Sequence, residues 1–198
     1  CFMPFDFGNI YAMTKDGVLG YVRESDVETS QNIVLQPNNK QPEYTYITMD
    51  EKVCLGWHQM TNTTGNADLG EKIKDATALN VVSPTWFSVT DTDGSISSLA
   101  QKSYVTKAKN SGLSVWALIN DFEKDENDKH YISSVLKTTE TRSNLIKNIM
   151  NEIKEYSIDG INIDFENIAA ENAYDYIQFI RELSVECRNS GTVLSVDL

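Results

Sequence analysis

The sequence predicts an α/β fold organised around a parallel sheet, because strand-like and helix-like segments alternate after Asp50. Five apolar segments have the length of strands, and the segments between them carry apolar residues at helical spacing. A helical crossover returns the chain to the same edge of a sheet, so this alternation favours parallel strands. The strand candidates are residues 53–59, 79–89, 113–120, 158–166 and 193–198.

Two of the intervening segments indicate amphipathic helices. Their apolar residues recur at intervals of three and four, which places them on one face of a helix. They are Ile146, Ile149, Met150 and Ile153 before the fourth strand, and Ile177, Ile180, Leu183 and Cys187 before the fifth.

The tripeptide Asn-Ser-Gly precedes two of the strand candidates, at residues 110–112 and 189–191. Gly112 and Gly191 suit the left-handed residue that follows a helix. The repeat is typical of a βα unit used several times, either in a (β/α)8 barrel or in an open doubly wound sheet. No G-x-G-x-x-G or G-K-[ST] motif follows a strand candidate, so the phosphate cradle of nucleotide-binding folds is not predicted.

The chain before the α/β region differs in composition. Residues 10–22 hold two apolar runs around Asp16-Gly17, a dipeptide that tolerates the positive φ of a tight hairpin turn. Residues 24–42 are rich in Ser, Gln, Asn and Pro and show little periodicity. We therefore predict a β-hairpin segment at 1–28, a linker at 29–50 and the α/β domain at 51–198.

Composition argues against several classes of partner. The chain has 198 residues, a formal net charge of −12 and 40% hydrophobic residues. Such an acidic balance disfavours binding to nucleic acid or to anionic membranes. No apolar run is long enough for a membrane span. The three cysteines and two histidines show no metal-ligand spacing, so no cofactor is predicted.

Polar side chains occupy every second position of the fourth strand candidate, at Asn162, Asp164 and Glu166. Residues two apart in a strand share a face, so the three point together while their apolar neighbours point away. An amphipathic strand with one solvated face would give the same pattern. In a buried parallel strand, however, three such groups carry a desolvation cost unless they line a cavity, which favours a functional site.

Acid–base catalysis is the chemistry that this pattern favours. Two neighbouring carboxylates do not ionise independently, so one of them acquires a raised pKa and can protonate a departing oxygen. Glu166 is the outermost and longest of the three side chains and would reach a substrate. Asp164 lies deeper and would bond to Glu166 and to the substrate, with Asn162 orienting Asp164.

The segment "DGINIDFE", residues 159–166, resembles the D-x-x-D-x-D-x-E signature of glycoside hydrolase family 18, the chitinase-like enzymes. Asp159, Asp164 and Glu166 match it, and Asn162 replaces an Asp. The form is similar to bacterial members that act on cell-wall or spore-cortex glycans. Residues 81–94 and 111–122 also resemble the second and third barrel strands of that subgroup, which extends the likeness over about residues 52–198.

The resemblance implies a partial (β/α)8 TIM barrel containing about the first five strands. It also implies a retaining glycosidase for N-acetylglucosamine-containing glycans, of the chitin or peptidoglycan type, in which the substrate's acetamido oxygen is the nucleophile. Glu166 would be the general acid and base, Asp164 would polarise the acetamido group, and Asp159 would be structural. Two alternatives remain: a catalytically inactive glycan-binding relative, and a divalent-metal site at Asn162, Asp164 and Glu166.

Five strands fall short of the eight that a barrel needs, so we expect the chain to be part of a longer protein that supplies the remaining strands. An extracellular, cell-wall or spore-associated location follows from the resemblance. Residues 14–22 also resemble the end of a bacterial Src-homology-3-like domain, with an ordinary hairpin as the alternative.

Aromatic residues in the strand candidates are further candidates for sugar contacts, because sugars stack on aromatic faces. One of Trp86 and Phe87, near the end of the second strand, is the first choice, and Trp57 is the second. Trp116 is predicted to lie in the core. Asn120 ends the third strand and would line the cleft, whereas the charged run at 121–130 is typical of a solvated loop.

Overall fold

The structure is a computed structural model that describes residues 3–5, 8–13, 19–28 and 49–197. The chain divides into two compact units, Cys1–Glu43 and Tyr44–Leu198. Each unit has its own sheet.

The first unit contains a three-stranded antiparallel sheet formed by β1 (Met3–Phe5), β2 (Asn9–Met13) and β3 (Leu19–Arg23). Strands β2 and β3 pair as the predicted hairpin, with Met13 opposite Leu19. Strand β1 was not predicted. The expected Asp16-Gly17 turn and most of the expected linker lie outside the described residues.

The second unit alternates strands and helices. Its strands are β4 (Leu55–His58), β5 (Val81–Val89), β6 (Ile96–Ser98), β7 (Ser114–Asn120), β8 (Gly160–Asp164) and β9 (Val193–Val196). Its α-helices are α1 (Leu69–Ile73), α2 (Lys102–Asn110), α3 (Ile132–Val135), α4 (Thr139–Tyr156) and α5 (Ala173–Ser190). Short 3-10 helices cover Thr63–Asp68 and Ala170–Asn172.

The parallel sheet has the order β4-β5-β7-β8-β9, with β6 pairing antiparallel to β5. Neighbouring strands in this order follow one another along the chain, as in the successive units of a barrel. The predicted α/β fold, with five parallel strands, is therefore confirmed, and the sheet is open rather than closed. Strand β6 is an addition that the sequence reading missed.

The hydrophobic core fills the space between the sheet and the helices. Alternate residues of β7 and β8, including Ile119, Ile161 and Ile163, are fully buried and belong to one hydrophobic cluster with apolar residues of α4 and α5. Ile149 and Leu183 are likewise buried, as the helical spacing predicts. The other apolar residues predicted on α5 and α4 are buried or partly buried, apart from one outlier. Ile177, assigned to the buried face of α5, is instead 53% exposed.

The two Asn-Ser-Gly turns behave as predicted. Gly112 has φ +76° and Gly191 has φ +72°, the left-handed conformation that lets the chain leave a helix and enter the next strand. The chain therefore reverses in the same way before β7 and before β9.

Asp159, just before β8, bonds to neighbouring residues of β7 and α2. Its Oδ2 accepts a hydrogen bond from the backbone N–H of Val115 at 3.0 Å, and its Oδ1 pairs with Nζ of Lys109 at 2.8 Å. Asp159 thus bonds a backbone group of β7 and a lysine of α2, and its structural role stays a prediction. None of the helices in the described part of the chain has the length and apolarity that crossing a membrane requires.

Candidate active site

An open pocket of about 610 Å³ lies at the carboxyl ends of the parallel strands. All five strands contribute to it, either directly or through the residue that follows. Its lining residues are Trp57, Gln59, Thr85, Leu118, Asp164, Glu166, Val196 and Asp197. In parallel α/β sheets this edge is where ligands bind.

The polar side chains of strand β8 and of the loop after it become more exposed towards the pocket. Asn162 is 1% exposed, Asp164 is partly buried and Glu166 is exposed. Strand β8 ends at Asp164, so Glu166 belongs to the loop that follows rather than to the strand itself. The structure thus brings Asp164 and Glu166 together at the pocket and keeps Asn162 beneath it.

The contact made by Asn162 differs from the one predicted. Its Nδ2–H donates to Oδ2 of Asp197 at 2.7 Å, rather than orienting Asp164. Within the described residues, its buried Oδ1 has no hydrogen-bond partner. Asn162 is absent from the residues that line the pocket, so its predicted role as a direct substrate contact is corrected.

Asp164 is a carboxyl group whose proton affinity is increased by its surroundings in the site. Burial raises the pKa of Asp164, and the negative charges of Glu166, Asp197 and Asp121 raise it further. The sequence predicted that one carboxyl of a close pair would hold its proton more tightly. The structure adds two further carboxylates to that pair.

Asp121 is buried at the end of β7, with 1% of its surface exposed. Its carboxylate accepts three hydrogen bonds, from the backbone N–H groups of Glu166 and Asn167 and from Nδ2 of Asn167. The expectation that residues 121–130 form a solvated loop therefore fails at its first residue. The pKa of Tyr176 is raised to about 12 by burial and by the charges of Asp121, Asp197 and Asp164.

Trp57 is the predicted aromatic residue that the structure places in the pocket. Its side chain is 62% exposed although the residue lies within β4. An exposed indole beside two carboxylates is a suitable surface for stacking a sugar ring.

Trp86 and Phe87 are corrected, because both are buried in the core. Trp86 is 1% exposed, donates its Nε1–H to Oδ1 of Asn66 at 2.9 Å and packs edge-on against Tyr104. Phe87 is 0% exposed. The pairing of β5 with β7 shifts register between Thr85 and Phe87. This irregularity breaks the strict alternation that would otherwise turn one of the two rings towards the pocket.

Asn120 and Trp116 are also buried. Asn120 is 8% exposed and its Oδ1 accepts a hydrogen bond from the backbone N–H of Phe122 at 3.3 Å. It does not line the pocket, so its predicted contact with substrate is corrected. Trp116 is 6% exposed, in agreement with the core position predicted for it. Among the described residues, no group of three or more His, Cys, Asp or Glu is arranged to hold a metal ion.

Asp197 is the acidic pocket residue that the sequence did not predict. Ser195, its neighbour two positions earlier in the chain, pairs with Asn162 in the register of β8 and β9. The same alternation that singled out Asn162, Asp164 and Glu166 therefore applies to Ser195 and Asp197. That signal was present in the sequence, but only the pairing of the two strands shows that both polar faces meet.

Comparison with known proteins identifies the family. The model of glycosyl hydrolases family 18 matches residues 17–196. The chain belongs to glycoside hydrolase family 18. The resemblance inferred from the D-x-x-D-x-D-x-E signature is thus confirmed, while a search of curated protein sequences found no match.

Several solved structures of family 18 type share the fold. The chitinase from Chromobacterium violaceum is 18% identical, with a TM-score of 0.58, and the match covers 73% of this chain and 44% of that one. The spore cortex-lytic enzyme SleL from Bacillus cereus is 19% identical, with a TM-score of 0.61, over 73% of this chain and 34% of that one. A chitinase from Bacteroides thetaiotaomicron is 16% identical, with a TM-score of 0.57, over 74% and 46%. The chain thus spans less than half the length of these proteins.

Proposed function

We propose that this family 18 member belongs to a glycosidase that cleaves N-acetylglucosamine-containing glycans, of the chitin or peptidoglycan type, with Glu166 as general acid and base. The observation that carries the proposal is the meeting of Asp164, Glu166 and Trp57 in one pocket at the carboxyl ends of the strands. The two acidic residues hold adjacent positions of the family signature. Membership in the family supports glycoside hydrolysis in general.

Each residue has a distinct task in the proposed reaction. Protonated Glu166 donates its proton to the glycosidic oxygen as the bond to the anomeric carbon breaks. The substrate's own acetamido oxygen attacks that carbon, and Asp164 as a carboxylate accepts a hydrogen bond from the acetamido N–H. Ionised Glu166 then removes a proton from water, which opens the cyclic intermediate and restores the acid.

The position of Glu166 suits this exchange of protons. It is exposed in the loop beyond β8, so its carboxyl group meets both substrate and water. Asp164 is partly buried, two residues earlier, where surrounding negative charge favours any group that can donate a hydrogen bond. Trp57 offers an aromatic face to the apolar side of a sugar ring.

The proposal concerns the whole protein to which this chain contributes. Five strands of the barrel are present here, and we propose that further strands complete the substrate cleft. Similarity to a spore cortex-lytic enzyme and to chitinases supports a glycan in the cell wall or spore, and with it a wall-associated location.

The test is hydrolysis of a chromogenic N-acetylglucosamine oligosaccharide and of purified peptidoglycan by the full-length protein. Glu166→Gln should reduce kcat by about 10²- to 10⁴-fold while sugar binding persists, because the amide keeps the shape of the side chain but donates no proton. Glu171→Gln is the matched control, since Glu171 is an exposed glutamate five positions later in the chain that does not line the pocket.

Two outcomes would contradict the proposal. Turnover that survives in Glu166→Gln would remove Glu166 from the acid role. Binding of the oligosaccharide without any hydrolysis by the natural protein would favour the inactive glycan-binding alternative.

A further inference from the structure

The carboxylate of Asp121 joins the end of β7 to the loop that follows β8. Its Oδ1 accepts hydrogen bonds from the backbone N–H of Glu166 at 3.1 Å and from Nδ2 of Asn167 at 2.9 Å. Its Oδ2 accepts one from the backbone N–H of Asn167 at 2.8 Å. One side chain therefore holds the backbone of the proposed acid and of the residue after it, across 45 positions of sequence.

Burial strengthens these three hydrogen bonds and makes them necessary for the stability of the carboxylate. Asp121 is 1% exposed, and a buried carboxylate is tolerated only where donors replace the water that it has lost. Hydrogen bonds to an ionised acceptor are shorter and stronger than those between neutral groups. Both carboxylate oxygens are used, so a neutral amide at this position would have only one oxygen to offer three donors.

The backbone of Asp121 is itself fixed. Nδ1 of His130 donates a hydrogen bond to the carbonyl oxygen of Asp121 at 2.9 Å. His130 also forms an isolated antiparallel bridge with Lys124, which closes the loop that begins at Asp121. Asp121, which we call the anchor, is thus held at its backbone by this loop and at its carboxylate by the segment that carries Glu166.

We propose that Asp121 is a positioning residue that sets the reach of Glu166 towards the glycosidic oxygen, an inference that rests on the proposed function. Asp121 does not line the pocket, so it acts through Glu166 and not on the substrate. The side chain of Glu166 is exposed, and its backbone N–H is held by Asp121. A misplacement of about 1 Å at a reacting group can cost about 100-fold in rate.

The first test compares Asp121→Asn with Asp125→Asn in the full-length protein. The Asp125 carboxylate also accepts two backbone hydrogen bonds, from Asn127 at 2.8 Å and Lys129 at 2.9 Å, but Asp125 is only partly buried and its neighbours in the loop are mostly exposed. Asp121→Asn should lower kcat by about 10- to 100-fold while KM changes by less than about 3-fold, because the acid is displaced and the sugar contacts remain. Asp125→Asn should leave both constants unchanged.

Asn167→Ala provides a second variant should Asp121→Asn fold poorly. It removes the bond from Nδ2 and leaves the two backbone bonds, so kcat should fall by a smaller factor, about 3- to 10-fold. An unchanged kcat in Asp121→Asn, or in Asn167→Ala where the first variant does not fold, would overturn the positioning role.

Amide hydrogen exchange separates this inference from the proposed function. The Glu166 and Asn167 amides should exchange at least about 10-fold faster in Asp121→Asn than in the natural protein, since their acceptor is weakened. Unchanged exchange there would overturn the anchor itself, whatever the activity. A natural protein that shows this anchor but hydrolyses none of the glycans would instead overturn the proposed function.

Discussion

Asn162 donates an amide hydrogen to Oδ2 of Asp197 across 2.7 Å, and so ties β8 to the residue that follows β9. The bond holds the charge of Asp197 at the pocket, where it lies close enough to Asp164 to raise its pKa. A neutral amide at residue 162 thus replaces one acid of the family signature, while Asp197 returns a carboxylate to the same face of the sheet. The raised pKa of Asp164 therefore depends on the Asn162–Asp197 pair as well as on the residues of the signature.

Replacing Asp197 by Asn should move the acid limb of the kcat/KM profile to lower pH. The charge of Asp197 is one of the causes that raise the pKa of Asp164, so its removal lets Asp164 ionise at a lower pH. Asn at 197 still offers an oxygen to the Asn162 amide. The profile should be measured from pH 3 to 8 with an oligosaccharide substrate.

Asp93→Asn serves as the control for that profile, because Asp93 is an exposed residue that accepts a hydrogen bond from Ser95 in a loop outside the pocket. An acid limb that stays in place or moves to higher pH in Asp197→Asn would contradict the coupling between Asp197 and Asp164.

The sequence predicts the parallel sheet well because buried parallel strands are long apolar runs, and all five candidates form strands. Strand β6 has only three residues, Ile96–Ser98, which is too short for a period to show. The shift between Thr85 and Phe87 has no sequence signal, and both Trp86 and Phe87 lie in the core beside it.

The candidate site likewise has residues that the sequence predicts and residues that it does not. Asp164 and Glu166 are recognisable because alternation within one strand is a local property. The role of Asp121 depends on donors 45 and 46 residues away, and the role of Asp197 on a partner 35 residues away. Such contacts appear only once the strands are paired, so residue pattern alone could not assign them.

Asp164→Asn should raise the thermal stability of the protein at pH 7. The folded chain binds a proton at Asp164 more tightly than the unfolded chain, because burial and neighbouring charges raise its pKa. The free energy of unfolding therefore decreases as pH rises from the ordinary Asp value of about 3.9 through the raised one. An uncharged amide at residue 164 avoids this loss of unfolding free energy. The Tm of the variant should therefore exceed that of the natural protein most at neutral pH, and the difference should vanish near pH 3.

Thermal melts of both proteins at pH 3, 5 and 7 check this prediction. Asp159→Asn is the opposite control, since Asp159 bonds the Val115 backbone and pairs with Lys109, and its replacement should lower Tm at pH 7. A variant at 164 that melts below the natural protein at pH 7 would mean that the charged form of Asp164 is stabilised by the fold.

Trp57→Ala and Trp86→Ala should separate binding from stability. Trp57 is 62% exposed at the pocket, so its loss should raise KM by about 3- to 10-fold and leave Tm nearly unchanged. Trp86 is 1% exposed, and its removal opens a cavity and leaves Asn66 without its donor, at about 3–5 kcal/mol of unfolding free energy. Denaturant titration and steady-state kinetics measure the two effects, and a rise in KM without a loss of stability in Trp86→Ala would reverse these assignments.

Gly160→Ala should destabilise the protein by about 1–3 kcal/mol, because the start of β8 has no room for a side chain. A Cβ at residue 160 would lie 2.6 Å from Cδ1 of Trp116, the residue directly opposite on β7. Gly20→Ala is a suitable control, since Gly20 also lies in a strand and nothing lies within 4 Å of its added Cβ. Trp116→Phe should recover part of the loss in the Gly160→Ala background, because the smaller ring makes space, and denaturant titration of the four combinations gives the coupling. Losses that simply add in the double variant would show that the two side chains do not compete for this space.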